Sequence, residues 1–182
     1  MNYFEKWNLT EDEWNLISML PYHVSFSVAI ADGIINPEET SPYSVFRNLM
    51  STNKEDCALV DMCKVSLDRA ERNIDESSII DDYLNKYNLL DEDGSYVRKV
   101  FVVDHFLRVL NLFDDYNKDK IKEYVFNLGL DTAYSYGVPE NPLDQSEYET
   151  LEELFRWLEI DKDKYFEEKT RENFYANLNG EE

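Results

Sequence analysis

The sequence predicts an all-α protein, a single compact domain over residues 1–182 with about seven or eight helices built from two related halves. Apolar residues recur at helical spacing along most of the chain, and no segment alternates apolar and polar residues for long enough to require a sheet. A joint in which one helix stops and another starts occurs twice, at 29–39 and 133–147. A chain of 182 residues can bury a core without disulfides or metals.

The first strong helix signal begins at Thr10. Thr10-x-x-Glu13 matches a capping box, in which the threonine side chain and the glutamate side chain each bind a free backbone donor of the other residue. Apolar residues then cover most of the helical surface as far as Ala31, which predicts a buried central helix. Pro21 lacks a backbone donor, so we expect a kink or a break near Leu20.

Further apolar stripes predict the remaining helices. The stripes run from Leu59 to Ala70, Ile80 to Tyr87, Val97 to Phe113, Ile121 to Thr132, Tyr148 to Leu158 and Tyr165 to Leu178. The stripe from Val97 to Phe113 is broad, so we expect it to form the core together with the segment from Trp14 to Ala31. Gly129 weakens its own helix by about 1 kcal/mol without ending it.

The stretch DDYNKDKIKE, from Asp114 to Glu123, is interpreted as a helix-connecting turn. Its alternating oxygen ligands are typical of a calcium loop, but the sixth position is Lys120 instead of glycine and the twelfth is Phe126 instead of glutamate. DEDGSY, which begins at Asp91, is interpreted in the same way.

Composition limits the classes of function. The chain has 39 acidic and 18 basic residues, a formal net charge of −21, yet 43% of its residues are apolar, so it should fold. Such a surface repels nucleic acid and anionic membranes and attracts basic proteins. No apolar run could span a membrane and the start lacks a secretory signal, so we expect a soluble, cytoplasmic protein. Cys57 and Cys63 should not pair, and a zinc site is nearly excluded.

The repeated joint aligns AIADGIINPEE, from Ala29 to Glu39, with AYSYGVPENPLDQSE, from Ala133 to Glu147. In each copy an apolar helix stops at a glycine. A capping residue, Asn36 or Asp144, then precedes a glutamate by three positions, which is typical of a helix start.

The stretch DEWNLISMLPYHVSFSVAIADGIINPEE, from Asp12 to Glu39, resembles the first half of TerB-like proteins of the tellurite-resistance group. The resemblance implies an all-helical domain of two related halves, each centred on an Asp-Gly turn. It also implies that carboxylates near these turns hold a divalent cation such as calcium or magnesium. The implied ligands are Asp32, Glu39, Asp144 and Glu147. Tyr136 takes the place of Asp32 in the second copy, which argues against a symmetric site, and turn and helix-dipole chemistry explains the same carboxylates.

No motif of enzymatic chemistry is present. Phosphate loops, nucleophile elbows and paired His-Glu motifs are absent from the sequence. His23 is interpreted as a hydrogen-bonded core histidine instead of a general base, and His105 as a partner of the adjacent Asp104 and Arg108. We therefore predict a non-enzymatic, TerB-like protein-interaction module whose partner has a basic surface and which does not bind nucleic acid directly. A metal-dependent hydrolase ranks last.

The alternative prediction is an inhibitor that imitates nucleic acid, of the anti-restriction or anti-CRISPR type. Carboxylates on a rigid helical body can imitate duplex phosphates and attract a DNA-binding protein. Runs of acidic residues would supply these charges: Asp81-Asp82, Asp91-Glu92-Asp93, Asp114-Asp115, Glu152-Glu153 and Glu167-Glu168.

Overall fold

The computed structural model describes residues 2–31, 56–72, 74, 76–87, 97–134 and 145–166, and the regular secondary structure of these residues is α-helical throughout. The helices are α1 (Tyr3–Lys6), α2 (Glu11–Ile17), α3 (Leu20–Ala29), α4 (Ala58–Glu71), α5 (Glu76–Lys86), α6 (Val97–Leu110), α7 (Asp115–Tyr134), α8 (Gln145–Trp157) and α9 (Lys162–Tyr165). Seven of these described helices have seven or more residues. The all-α prediction is confirmed.

The predicted start and break of the first helical segment are both confirmed. Glu13 N donates to Thr10 Oγ1 over 3.3 Å, and Thr10 N donates to Glu13 Oε2 over 3.0 Å, which completes the capping box. Helix α2 ends at Ile17 and α3 begins at Leu20. Pro21 thus stands in the first turn of α3, where its missing donor costs no hydrogen bond.

Two helix ends use the same left-handed cap without glycine. Asn8 after α1 has φ 54° and Glu159 after α8 has φ 53°. The following residues, Leu9 and Ile160, donate their N–H groups to carbonyls five positions back, over 2.9 and 2.8 Å. This is the Schellman arrangement. Helix α1 itself was not predicted, because a single turn has no apolar period.

The main partner of α3 is α7, and α8 packs beside both. The prediction that Trp14 to Ala31 and Val97 to Phe113 form the core together is confirmed, since both segments contribute buried residues to one hydrophobic core. Helix α6 does contact α2, and its Phe106 ring lies 5.3 Å from the His23 ring of α3. At Gly129 the absent side chain lets Leu151 of α8 approach the α7 backbone closely, because an added Cβ would lie 2.8 Å from Leu151 Cδ2, whereas Val24 of α3 would be in ordinary contact with it at 3.5 Å.

Two buried polar contacts specify how the helices pack. Ser25 of α3 and Thr132 of α7 share a hydrogen bond of 3.2 Å. Arg69 of α4 is only 6% exposed and donates to Ser18 Oγ over 2.9 Å and to Asn15 Oδ1 over 3.1 Å. The arginine therefore places positive charge at the C-terminal end of α2, where the helix dipole favours it.

The interpretation of Asp114 to Glu123 as a turn is wrong beyond its first residue. Asp114 caps α7, since its Oδ1 accepts the Asn117 N–H over 2.8 Å, and the helix starts at Asp115. Asn117 Oδ1 in turn accepts the Ala58 N–H over 2.9 Å and so aligns the starts of α4 and α7. A helix that begins with a polar capping residue has the same local amino-acid composition as a short polar turn, so composition did not distinguish the two.

Both cysteines are buried and free, as predicted. Burial raises the pKa of the Cys63 thiol to about 12, so this thiol stays protonated and unreactive near neutral pH. The Tyr124 hydroxyl lies beside it. These groups belong to the core.

Several predictions lie outside the described residues. These are the helix start at Asn36, the turn at Asp91, and the helix beyond Phe166. The interiors of both repeat turns also lie outside the described residues, so the two related halves stay a prediction. Helix α3 ends at Ala29 and α7 ends at Tyr134, which is where the two turns begin. Among the helices that are described, none combines the length and the apolar character needed to cross a membrane.

A candidate binding groove between α2 and α5

A groove with a volume of about 260 Å³ lies between α2 and α5. Helix α2 contributes Asp12, Asn15 and Leu16 to its lining, and α5 contributes Ile79, Asp82, Tyr83 and Lys86. The most buried of these, Leu16 and Tyr83, form an apolar floor, while the exposed Asp82 and Lys86 lie at the rim. Small-molecule pockets usually occupy roughly 300–1,000 Å³. The groove therefore suits one long side chain better than a cofactor.

Asp12 is the centre of the charged contacts at the groove. Its Oδ2 accepts hydrogen bonds from Lys86 Nζ and, over 3.0 Å, from the Tyr87 hydroxyl. The Lys86 ammonium holds the pKa of the Asp12 carboxyl below its usual range, with the Tyr87 hydroxyl adding to the effect. The same ammonium lies 6.0 Å from the centre of the Tyr87 ring, within reach of a cation–π contact.

A chain of hydrogen bonds holds the Tyr83 side chain in place behind the groove. Tyr83 Oη bonds to His105 Nδ1 over 2.9 Å and accepts from Arg108 Nη2 over 3.4 Å. Arg108 also donates to Glu13 Oε1 over 3.2 Å, and Glu13 belongs to the capping box of α2 with Thr10. One side of the groove is therefore fixed before any ligand arrives.

His105 is influenced by its neighbours Asp104 and Arg108, and it also hydrogen bonds to Tyr83 on another helix, which the sequence did not predict. Burial lowers the pKa of His105, and the nearby Arg108 guanidinium lowers it further, while Asp104 acts in the opposite sense. Near neutral pH the His105 ring is thus uncharged, and its Nδ1 can accept the Tyr83 hydroxyl.

The acidic runs of the sequence have different surroundings. Asp82 lines the groove and has no ion-pair or hydrogen-bond partner within the described part of the chain, whereas Asp81 is half-buried. Asp114 is the cap of α7, Asp115 pairs with Lys118 over 3.1 Å, and Glu152 pairs with Lys162. Asp91, Glu92, Asp93, Glu167 and Glu168 lie outside the described residues. Four of the six described residues in these runs, Asp81, Asp114, Asp115 and Glu152, are therefore already engaged. Asp82 and Glu153 have no ion-pair or hydrogen-bond partner among the described residues, and of these two Asp82 lines the groove.

A second, smaller cavity of about 40 Å³ lies where α3, α6 and α8 meet. His23 and Ser27 of α3 line it together with Thr150 and Glu153 of α8. The volume admits a few water molecules but no substrate. His23 is half-buried and its ring packs on the Phe106 ring, whereas its interpretation as a hydrogen-bonded core histidine stays a prediction. The sequence spacing did not predict that Glu153 lines the same cavity.

The carboxylates that the TerB-like resemblance implies as metal ligands are mostly undescribed. Asp32, Glu39 and Asp144 lie outside the described residues. Glu147 lies in the first turn of α8, where its charge complements the helix dipole. The described residues contain no cluster of three or more His, Cys, Asp or Glu side chains that could hold a metal. Carboxylate oxygens suit calcium or magnesium. The site stays a prediction.

If that cation site exists, calcium or magnesium should raise the thermal unfolding midpoint, because an ion that binds only the folded state stabilises it. The double substitution of Asp32→Asn and Glu39→Gln should abolish this shift, and the single substitution Glu147→Gln reports on the second turn. Equal midpoints in calcium, magnesium and EDTA would exclude the site.

Comparison of the chain with protein-family models, with curated proteins and with solved structures finds no match. The TerB-like resemblance therefore stays a prediction.

The sequence identified only Asp82 among the groove residues as a binding candidate. Tyr83 and Tyr87 belong to the apolar stripe from Ile80 to Tyr87, and the sequence predicted no role for Asp12 or Lys86. The contact between Asp12 and Lys86 joins residues 74 positions apart, so no local motif could have revealed it.

Proposed function

We propose that this protein is a non-enzymatic protein-interaction domain that binds a partner with a basic surface in the groove between α2 and α5. The observation that carries the proposal is a preformed groove with an apolar floor and, at its rim, the Asp82 carboxylate, which has no partner among the described residues, in a chain of formal charge −21. The TerB-like assignment is part of this proposal and rests on the stretch from Asp12 to Glu39.

The arrangement of the groove favours binding over catalysis. Its fixed walls reduce the entropy lost when a ligand is ordered. Its tyrosine, Tyr83, is only 6% exposed, and the hydroxyl is engaged by His105 and Arg108. Asp12 is held in its charged form by Lys86, which suits it to attract a cation and not to transfer protons near neutral pH.

The nucleic-acid-mimic alternative has less support from the described surface. The acidic residues Asp115, Asp119 and Glu123 follow one face of α7 at intervals of four residues, roughly 6 Å along the axis. One strand of a DNA duplex carries a charge about every 3.4 Å. Each of the three is also close to a lysine: Lys118 over 3.1 Å, Lys164 over 2.6 Å and Lys120 over 3.9 Å. This face is therefore both sparser in charge than a duplex and partly neutralised.

The proposal is tested by fluorescence anisotropy with a labelled library of short peptides that carry one to three lysine or arginine residues among leucine and tyrosine. We expect binding at low salt that weakens steeply as the salt concentration rises, because partly exposed charges are screened. The variant Asp82→Asn should weaken binding by about three- to tenfold, which corresponds to losing one rim charge.

Glu123→Gln is the matched control, since it removes one exposed negative charge from α7. It should leave the affinity nearly unchanged at 150 mM salt, where the screening length is about 8 Å. Failure of every basic peptide to bind, or equal losses in the Asp82 and Glu123 variants, would rule out this groove as the binding site.

A further inference from the structure

The groove already holds one cation, and that cation belongs to the chain itself. Lys86 Nζ bonds to Asp12 Oδ2 and lies near the Tyr87 ring. Tyr87 is 45% exposed and also donates its hydroxyl to the same carboxylate oxygen. A carboxylate next to an aromatic ring is an arrangement that recognises an ammonium or a guanidinium group.

The charges at the groove do not balance. Its lining includes two carboxylates, Asp12 and Asp82, and one cation, Lys86. The two other charged groups nearby, Glu13 and Arg108, form an ion pair with each other over 3.2 Å and so cancel. The hydrogen bond to Asp12 raises the pKa of Lys86, and the negative charge of nearby Glu11 adds a smaller contribution. One further positive charge would therefore bring the groove closer to neutrality.

Lys86 can leave Asp12 without losing all electrostatic compensation. Its side chain is 60% exposed, so the ion pair is screened by water and holds the lysine weakly. Asp82 precedes Lys86 by four residues on α5, the spacing at which an acid and a base on one helix face can pair. The lysine could thus move from Asp12 to Asp82 when another cation arrives.

We propose that Asp12 and Tyr87 form a recognition site for a single lysine or arginine side chain of the partner, and that Lys86 is the internal competitor for this site. The inference rests on the proposed function and specifies its chemistry. The partner's cation replaces Lys86 on the Asp12 carboxylate, its aliphatic part packs along Leu16 and Ile79, and Lys86 moves toward Asp82.

The test compares Lys86→Met with Lys120→Met by anisotropy with the same basic peptides. Both substitutions remove one positive charge and keep an unbranched apolar stem, but Lys120 lies on α7 and pairs with Glu123. Because internal competition lowers the apparent affinity, Lys86→Met should bind the peptides roughly three- to tenfold more tightly than the wild type at 150 mM salt. Lys120→Met should change the affinity less than twofold, since the charge effect is screened.

Tyr87→Ala should have the opposite effect on affinity, because it removes the ring and the hydroxyl that orient Asp12. It should weaken binding of the peptides in the Lys86→Met background, while the thermal midpoint reports whether the fold is kept. Equal effects of the two lysine substitutions, or weaker binding by Lys86→Met, would overturn the inference.

The proposed function has a separate outcome. If the wild type binds basic peptides and Asp82→Asn weakens that binding, but the two lysine variants have the same affinity, only the competitor role of Lys86 fails. If neither the wild type nor Lys86→Met binds any basic peptide, the proposed function fails with it.

Discussion

Replacing Asp61 with alanine is expected to lower the free energy of unfolding by about 3 kcal/mol, because three hydrogen-bond donors lose the buried carboxylate that accepts from them. The Asp61 side chain is 2% exposed. It accepts from Lys6 Nζ over 2.6 Å, from Lys64 Nζ over 3.0 Å and from Trp7 Nε1 over 3.1 Å. The Lys6 side chain is 18% exposed and keeps the exposed Asp56 carboxylate as a partner, so its charge is compensated only in part after the substitution.

Urea unfolding followed by tryptophan fluorescence measures this change. Asp68→Ala is the control on the same helix, since Asp68 is 53% exposed and its pair with Arg72 should contribute less than about 0.5 kcal/mol. The double variant of Lys6→Met and Asp61→Leu should recover most of the loss, because apolar replacement of a whole buried pair is close to neutral. A similar, small loss for Asp61→Ala and Asp68→Ala would contradict the argument.

The contribution of Asp61 also depends on pH in a defined direction. Burial alone would raise the pKa of this carboxyl, but hydrogen bonds from Lys6, Lys64 and Trp7 outweigh burial and hold the pKa below its usual range. The folded pKa therefore lies below the unfolded value of about 3.9. The stabilisation is complete above that pH and is lost as the pH falls through the folded pKa. The difference between wild type and Asp61→Ala should accordingly shrink in acid.

Replacing Gly129 with leucine is expected to destabilise the protein by about 3 kcal/mol, because the added side chain overpacks a filled interior. A Cβ at this position would lie 2.8 Å from Leu151 Cδ2, 3.5 Å from Val24 Cγ1 and 3.6 Å from Phe155 Cε1. Leu151 is fully buried, so its methyl group cannot move into solvent. Gly129→Ala should cost less, about 1 kcal/mol, since better helix propensity offsets part of the clash.

The control for this prediction is Asn127→Ala, an exposed position two residues earlier on α7. At this exposed position alanine improves the helix propensity without a steric clash, so the substitution should stabilise the protein by about 0.5 kcal/mol. Thermal and urea unfolding of the three variants compare the two positions directly. If Gly129→Ala stabilised the protein as much as Asn127→Ala, the close approach of α3, α7 and α8 would have no energetic importance.

Features that depend on neighbouring residues were predictable. The Thr10–Glu13 capping box, the break before Pro21 and the start of α8 at Gln145, directly after Asp144, all follow from contacts within one helical turn. Asp114 shows the limit of such reasoning, because capping a helix and forming a turn require the same side-chain chemistry. The structure shows that Asp114 caps α7 by accepting the Asn117 N–H. The Asn117 side chain in turn accepts a hydrogen bond from the start of α4.

The candidate groove shows why the functional site was less predictable than the fold. Asp82 belongs to an acidic run that the sequence identifies, but its importance depends on its having no partner among the described residues, whereas Glu152 is paired with Lys162. Whether a carboxylate is neutralised depends on residues brought close by folding. In the same way, Lys86 becomes a candidate competitor only because α5 packs on α2 and brings it to Asp12.

The sequence by itself determined that the chain is helical, where most helices begin and end, and that its surface is strongly acidic, because periodicity, caps and net charge are properties of short segments or of composition. Only the tertiary structure decided that α3 packs on α7. Helix α3 is apolar on most of its surface, so its periodicity does not specify a partner; the pairing depends on the shapes brought together by folding and includes the buried Ser25–Thr132 hydrogen bond. The same packing buries Asp61 among cations and leaves Asp82 at an open groove.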